Sequence, residues 1–140
     1  MKREGPKVIT VAKKDKKDFD LLKEDKNSFF YGREHKEVFL MAMVYGFLNN
    51  NYKPLGERHK GGHCRVETLN ETDITLIKAI AVKKTGSLDV LLNLKEVYSI
   101  AEQYATGGIS YLKDAVFSKQ HGDYTKRFEE LLVELHKKIS

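Results

Sequence analysis

Apolar residues recur along this chain at helical spacing in successive stretches, separated by Asn, Asp, Gly and Pro. Asp15 is placed to cap a helix from Lys16 to about Glu24, with Phe19 and Leu22 on its inner face. Phe29, Phe30 and Tyr31 follow in a loop too apolar to lie in solvent, so they are expected to lid the core. A second helix from about Glu34 to Leu48 is apolar on all sides at its middle, as a central helix surrounded by others would be. Asn70 caps a third helix through Lys84, with Glu71 and Asp73 in the first turn, where the helix dipole favours acids. Ile74, Ile77, Ile80 and Ala81 form its buried stripe, Gly86 stops it, and Ser87 opens a brief turn through Leu92.

Asn93, with Glu96 three residues on, opens a helix carrying Leu94, Val97, Ala101 and Tyr104 inward. Gly107 then falls where a helix needs a left-handed residue just past its end, which predicts a stop there and a restart at Ile109. Ile109, Leu112 and Val116 continue a stripe to about Lys119, and Gly122 with Asp123 marks another break and the next cap. The last helix is the clearest amphipath, with Phe128, Leu131, Leu132, Leu135 and Ile139 opposite Glu129, Glu130, Glu134 and Lys137. A short strand is expected at Val8 to Val11, and between Asn49 and Val66 neither helix nor strand is convincing. The chain reads as mainly all-α, a compact single-domain bundle of five to six helices. Residues 1–14 are expected as a flexible basic tail and residues 15–140 as one helical domain with a long basic loop at 49–66.

Composition narrows the setting. At 140 residues and 41% apolar content one core suffices without disulfide or metal. Cys64 has no partner cysteine and no apolar leader opens the chain, which points to a reducing cytoplasm. The longest apolar run, Val38 to Leu48, is 11 residues, well short of the roughly 20 a membrane helix requires. Net charge is +5, but residues 1–66 hold 15 Lys and Arg against 9 Asp and Glu, whereas residues 67–140 hold 10 against 11. All the basic excess is therefore N-terminal, which suits a polyanion or simply a solvated arm.

Candidate chemistry is sparse. His59, His63 and Cys64 are possible zinc donors, yet the remaining donors would come from His35, His121 or His136, none at ligand spacing, so no metal is assigned. Cys64 lies in no nucleophile motif, and phosphate-loop, dinucleotide, zincin and hydrolase-elbow patterns are missing, so no catalytic residue and no cofactor is assigned. The strongest signal is charge in the long loop. Lys53, Arg58, Lys60 and Arg65 face one acid, Glu57, with Tyr52, His59 and His63 interleaved, and Lys13 and Lys14 add cations from the N-terminal segment. Flexible cations with an aromatic suit a nucleic-acid backbone, and an ordinary surface loop or a subunit contact has the same composition. A helix-turn-helix at Gly107 and Gly108, with Tyr111, Lys113 and Lys119 reading DNA, is a weaker arrangement because Asp114 opposes phosphate.

One set of features resembles a known family. These are Phe29, the helix start at Lys36, Glu37, Val38 and Phe39, then Ala42, Gly46 and Tyr52 to Leu55, Ala79 to Ala81, and the Glu102 to Leu112 block. Together they resemble the small accessory proteins found beside phosphorothioate (Dnd-type) DNA-modification genes, over roughly residues 29–112. The most specific part is Glu102, Gln103, Tyr104, Ala105, Thr106, Gly107, Gly108, against a family pattern Glu-Glu-Tyr-Ala-Asn-Gly-Gly from which Gln103 and Thr106 depart. The resemblance implies a prokaryotic defence setting and association with a DNA-modification or restriction assembly, with no catalytic residues to carry over. The expected function is thus a non-enzymatic accessory protein contacting DNA or a DNA-bound complex through the basic loop. The other reading is a protein adaptor or homodimer without nucleic-acid contact.

Overall fold

The computed structural model describes residues 5–118 and 124–139, with side chains in the last helix from residue 129 onward. Among these residues are five helices: α1 (Lys16–Glu24), α2 (His35–Leu48), α3 (Glu71–Thr85), α4 (Leu94–Phe117) and α5 (Tyr124–Ile139). Short 3-10 turns precede α1 and α3, and a third, Leu88–Leu92, links α3 to α4. One two-stranded antiparallel sheet, β1 (Val8–Ile9) with β2 (Cys64–Arg65), completes the chain, so the mainly helical class expected from the periodicity is observed.

The elements form where the capping residues direct them. Asn70 accepts the Asp73 amide (2.8 Å) while the Asp73 carboxylate accepts the Asn70 amide (3.0 Å), closing a capping box on α3. Ser87 and Asn93 likewise accept the Asp89 and Glu96 amides and open the following turns. α2 carries Glu34 and Glu37 in the same reciprocal arrangement and is buried along Val38, Phe39 and Met41 to Phe47. It is the central rod of the core, and α4 is its principal neighbour.

The expected stop at Gly107 is corrected by the structure. α4 runs unbroken through Gly107 and Gly108, neither of which has a positive φ, so there is no turn and no helix-turn-helix. The glycines serve a different purpose: they remove side chains where α2 crosses. A Cβ at Gly108 would land on the Ala42 carbonyl oxygen and the Gly46 nitrogen, one at Gly46 on the Tyr104 carbonyl oxygen, and one at Gly107 on the Asn51 carbonyl oxygen. Each interior glycine forfeits about 1 kcal/mol of helix propensity relative to alanine, and the backbone-to-backbone approach it permits offsets that loss. Leaving α2, the chain turns at Asn50 (φ +53°) and stays against α4. Asn51 Nδ2 donates to the Gly107 carbonyl (2.7 Å) and the Lys53 amide to the Gln103 carbonyl (3.2 Å).

A second correction concerns residues 49–66, which carry a strand where none is expected. From Lys7 onward the N-terminal segment lies along this loop as a ribbon: the Val66 amide donates to the Lys7 carbonyl, His63 to Ile9, His59 to Val11 and Lys13 to Glu57. Ile9, Val11 and Ala12 are buried beneath it. Between the pairs Ala12–Arg58 and Ile9–Cys64 the N-terminal strand advances three residues and its partner six. The surplus bulges out at Lys60, Gly61 and Gly62, and the positive φ of Gly61 (+90°) and Gly62 (+79°) makes that bulge affordable.

α5 packs against α2 and α3 with a narrow stripe. Leu135 is buried and Leu131 and Ile139 are half-buried, but Leu132, expected inward, is 44% exposed. Lys138 holds this helix in place by donating to the Phe47 carbonyl (2.8 Å) and Asn50 Oδ1 (3.2 Å) at the C-terminal end of α2, where the dipole favours a cation. The break expected at Gly122 and Asp123, and the side chain of Phe128, lie outside the described residues.

Candidate nucleic-acid interface

The ribbon brings together cations that are far apart in sequence. Lys13 and Lys14 sit at the end of its N-terminal strand, across a shallow groove from Pro54 to Glu57, and Lys53 and Lys14 both act electrostatically on Asp15. Arg58 is paired with Ala12, Lys60 is exposed on the bulge, and Arg65 pairs with Val8 at the other end. Lys13, Lys14, Lys53, Arg58, Lys60 and Arg65 are all exposed. Acids temper two of them: Lys13 Nζ lies 3.3 Å from Glu57 and Arg65 Nε 3.2 Å from Glu67, both pairs well solvated and hence weak.

Arg58 is held differently. Its Nη2 donates to Glu102 Oε1 (2.7 Å), while Glu102 Oε2 accepts the Thr10 amide (2.9 Å). The Glu102 side chain is only 5% exposed and that of Arg58 55%, so a buried carboxylate on α4 grips both strands of the ribbon at once. Sequence reasoning left Glu102 as part of a family tag. Its position four residues after Tyr98 and three before Ala105, both buried, is the signal that placed an acid on an inward face.

The aromatic and imidazole members of the expected set sit deeper. The Tyr52 ring packs edge-on against Tyr104 (centroids 4.8 Å), its hydroxyl accepts from Gln103 Nε2 (2.9 Å), and the Lys84 ammonium stands 3.9 Å from its centroid. Burial pushes the Tyr52 hydroxyl above its ordinary pKa, so it stays protonated. His59 is half-buried, and its carbonyl accepts the Thr10 hydroxyl (2.8 Å). His63 is buried against Phe19, His35 and Phe39. Lys16 can only donate, so His63 Nδ1 accepts from it (3.5 Å) and Nε2 carries the proton given to the His35 carbonyl (3.3 Å). Burial, helped by Lys16, pulls its pKa down to about 3, so this ring is neutral and contributes packing to the region.

Cys64, in the β2 strand of the ribbon, is half-buried. Burial, with Glu102 adding to it, pushes its thiol up to about 12, which disfavours a free thiolate nucleophile at neutral pH. Among the described residues no group of three His, Cys, Asp or Glu gathers as a metal ion would require. Nor is any described helix long and apolar enough to cross a membrane.

A model of the family described as DNA sulphur modification system-associated protein 4 matches residues 9–139. The chain belongs to that family. The match extends beyond the 29–112 resemblance at both ends, and so takes in α5 and the ribbon from Ile9 onward. No curated protein and no solved structure matches the chain. Membership of this family associates the protein with DNA sulphur modification, and the Glu102 to Gly108 block is both the glycine crossing and the anchor of the basic ribbon.

Proposed function

We propose that this protein is a non-enzymatic accessory component of a prokaryotic DNA phosphorothioation system. It acts in the cytoplasm and contacts the phosphate backbone of DNA, or of a DNA-bound complex, through Lys13, Lys14, Lys53, Arg58, Lys60 and Arg65. The observation that carries this reading is the ribbon, which pairs the segment ending at the exposed Lys13 and Lys14 with the loop that carries the exposed Arg58, Lys60 and Arg65. A non-enzymatic role is supported by Cys64, the nucleophile candidate weighed in the sequence, being a half-buried thiol kept protonated by its surroundings.

Lysines read charge, so affinity for a fluorescent duplex should fall steeply with salt, and a phosphorothioate duplex, which keeps the same charge, should bind equally. Log K against log salt should lose about 0.9 in slope for each phosphate contact removed. Changing Lys13, Lys14, Lys53 and Lys60 to Ala should therefore flatten the slope and weaken binding; an unchanged titration would end this use of the ribbon. The second reading, a protein adaptor or homodimer, is favoured by Leu88 and Leu92, exposed at 71% and 89%. A partner that stays bound after nuclease treatment of the lysate, with no duplex binding by the pure chain, would select it.

A further inference from the structure

A shallow groove of ≈ 370 Å³ is lined by residues of α3, the Leu88–Leu92 turn and the end of α5, and shares none of them with the basic ribbon. Its floor and walls are Val82, Leu88, Leu91 and Ile139, and its rim carries Lys78 and Lys83. No acid lines it among the described residues. Leu88 stands 71% exposed at its edge, and Leu92, on the same turn, is 89% exposed. Scattered apolar side chains on a surface need no explanation, but Leu88 projecting beside Val82, Leu91 and Ile139 makes a contiguous apolar patch of the kind that marks an interaction site.

We propose that this groove docks an amphipathic helical segment of a partner protein whose apolar stripe is flanked by Asp or Glu. The chemistry of the lining favours that occupant. An apolar trough between two helices takes side chains spaced three and four apart on a third, and the lysine rim complements acids beside that stripe. A second copy docked through the same face would bring two more lysines and no acid from the groove lining to an interface that already holds Lys78 and Lys83, so charge disfavours self-pairing. Among the described residues that line the groove, Lys78 and Lys83 are the only charged ones, and they set its preference for acids.

The test uses the full chain and two labelled helical peptides with one leucine stripe, one flanked by glutamates and the other by lysines. Fluorescence anisotropy should show the glutamate peptide binding at least about tenfold more tightly, roughly 1.4 kcal/mol. Leu88→Ser should weaken it about tenfold; that side chain is exposed, so the fold should survive, which a thermal melt checks. The pair Lys78→Glu and Lys83→Glu should invert the peptide preference. Equal binding of both peptides, binding of neither, or an affinity indifferent to Leu88→Ser would overturn the proposal. So would a concentration-dependent dimer in sedimentation velocity that Leu88→Ser abolishes, since the groove would then belong to a second copy. Duplex-DNA affinity should not respond to Leu88→Ser, so failure here is distinguishable from failure of the ribbon.

Discussion

The crossing of α2 and α4 and the ribbon of β1 with β2 meet on the same helix within a few residues, yet they are held together in opposite ways. At the crossing nothing but backbone and glycine hydrogens intervenes: Gly46 faces the Tyr104 carbonyl and Gly108 faces that of Ala42. At the ribbon a single buried carboxylate, Glu102, ties down Thr10 and Arg58. The first contact depends on the absence of atoms, the second on two charge-assisted hydrogen bonds. A close-packed contact has no way to yield, whereas a polar tie can be traded for water or for another anion, so the core side of α4 should be rigid and the ribbon side locally mobile.

The largest way to break this contrast is Gly108→Ala. Helix propensity alone would favour alanine by about 1 kcal/mol, but its Cβ falls on the Ala42 carbonyl, and the forced separation of two core helices should cost ~3 kcal/mol or more net. Urea unfolding followed by circular dichroism checks it; a gain in stability would show that the helices are not in backbone contact. Glu102→Ala should cost less, ~1–3 kcal/mol, by leaving the Thr10 amide without its acceptor and Arg58 without its partner. Its signature is local: amide exchange should accelerate at the His59 and His63 amides of the ribbon while the middle of α4 stays protected.

Acid should attack the ribbon side first. His63, depressed to about 3, binds its proton in the unfolded chain before the folded one, so stability falls as pH drops from about 6.5 toward 3, by up to ~1.4 kcal/mol per pH unit. His35, also depressed by burial, acts in the same direction, while Asp15, raised by burial, opposes them in the carboxylate range. A His63→Phe variant should unfold with a shallower pH dependence; an identical slope would remove the buried ring from the account. The smallest effect belongs to Lys13→Ala, which breaks only the solvated pair with Glu57 and should change stability by less than ~0.5 kcal/mol. It can therefore report DNA affinity without a change in fold.

Most of the helical architecture was legible. α1 spans the residues the apolar spacing marks, and Asn70, Ser87 and Asn93 cap the elements their positions announce, because capping is a local competition between one side chain and the next few amides. Gly107 misled for the same local reason. Two glycines after an amphipathic stripe look identical whether they end a helix or admit a neighbour, and the neighbour, Ala42 to Asn51, lies more than fifty residues away. The ribbon was half legible: Val8 and Ile9 read as a strand, but β2 contains only Cys64 and Arg65, too short for any alternation to register. Within the candidate site, charge marked Lys13, Lys14, Lys53, Arg58, Lys60 and Arg65. The burial of His63, the packing of Tyr52 on Tyr104 and the grip of Glu102 on Arg58 were not readable from the residues that flank them.

Local order, then, was written into the chain as periodicity, caps and charge, and those were enough for a helical domain with a basic N-terminal half. What folding alone could supply were the pairings: Gly46 with Tyr104, Gly108 with Ala42, Ile9 with Cys64, and Glu102 with Thr10 and Arg58. Each joins residues distant in sequence, and its energy comes from excluding water and matching shape between two surfaces that neither segment carries alone.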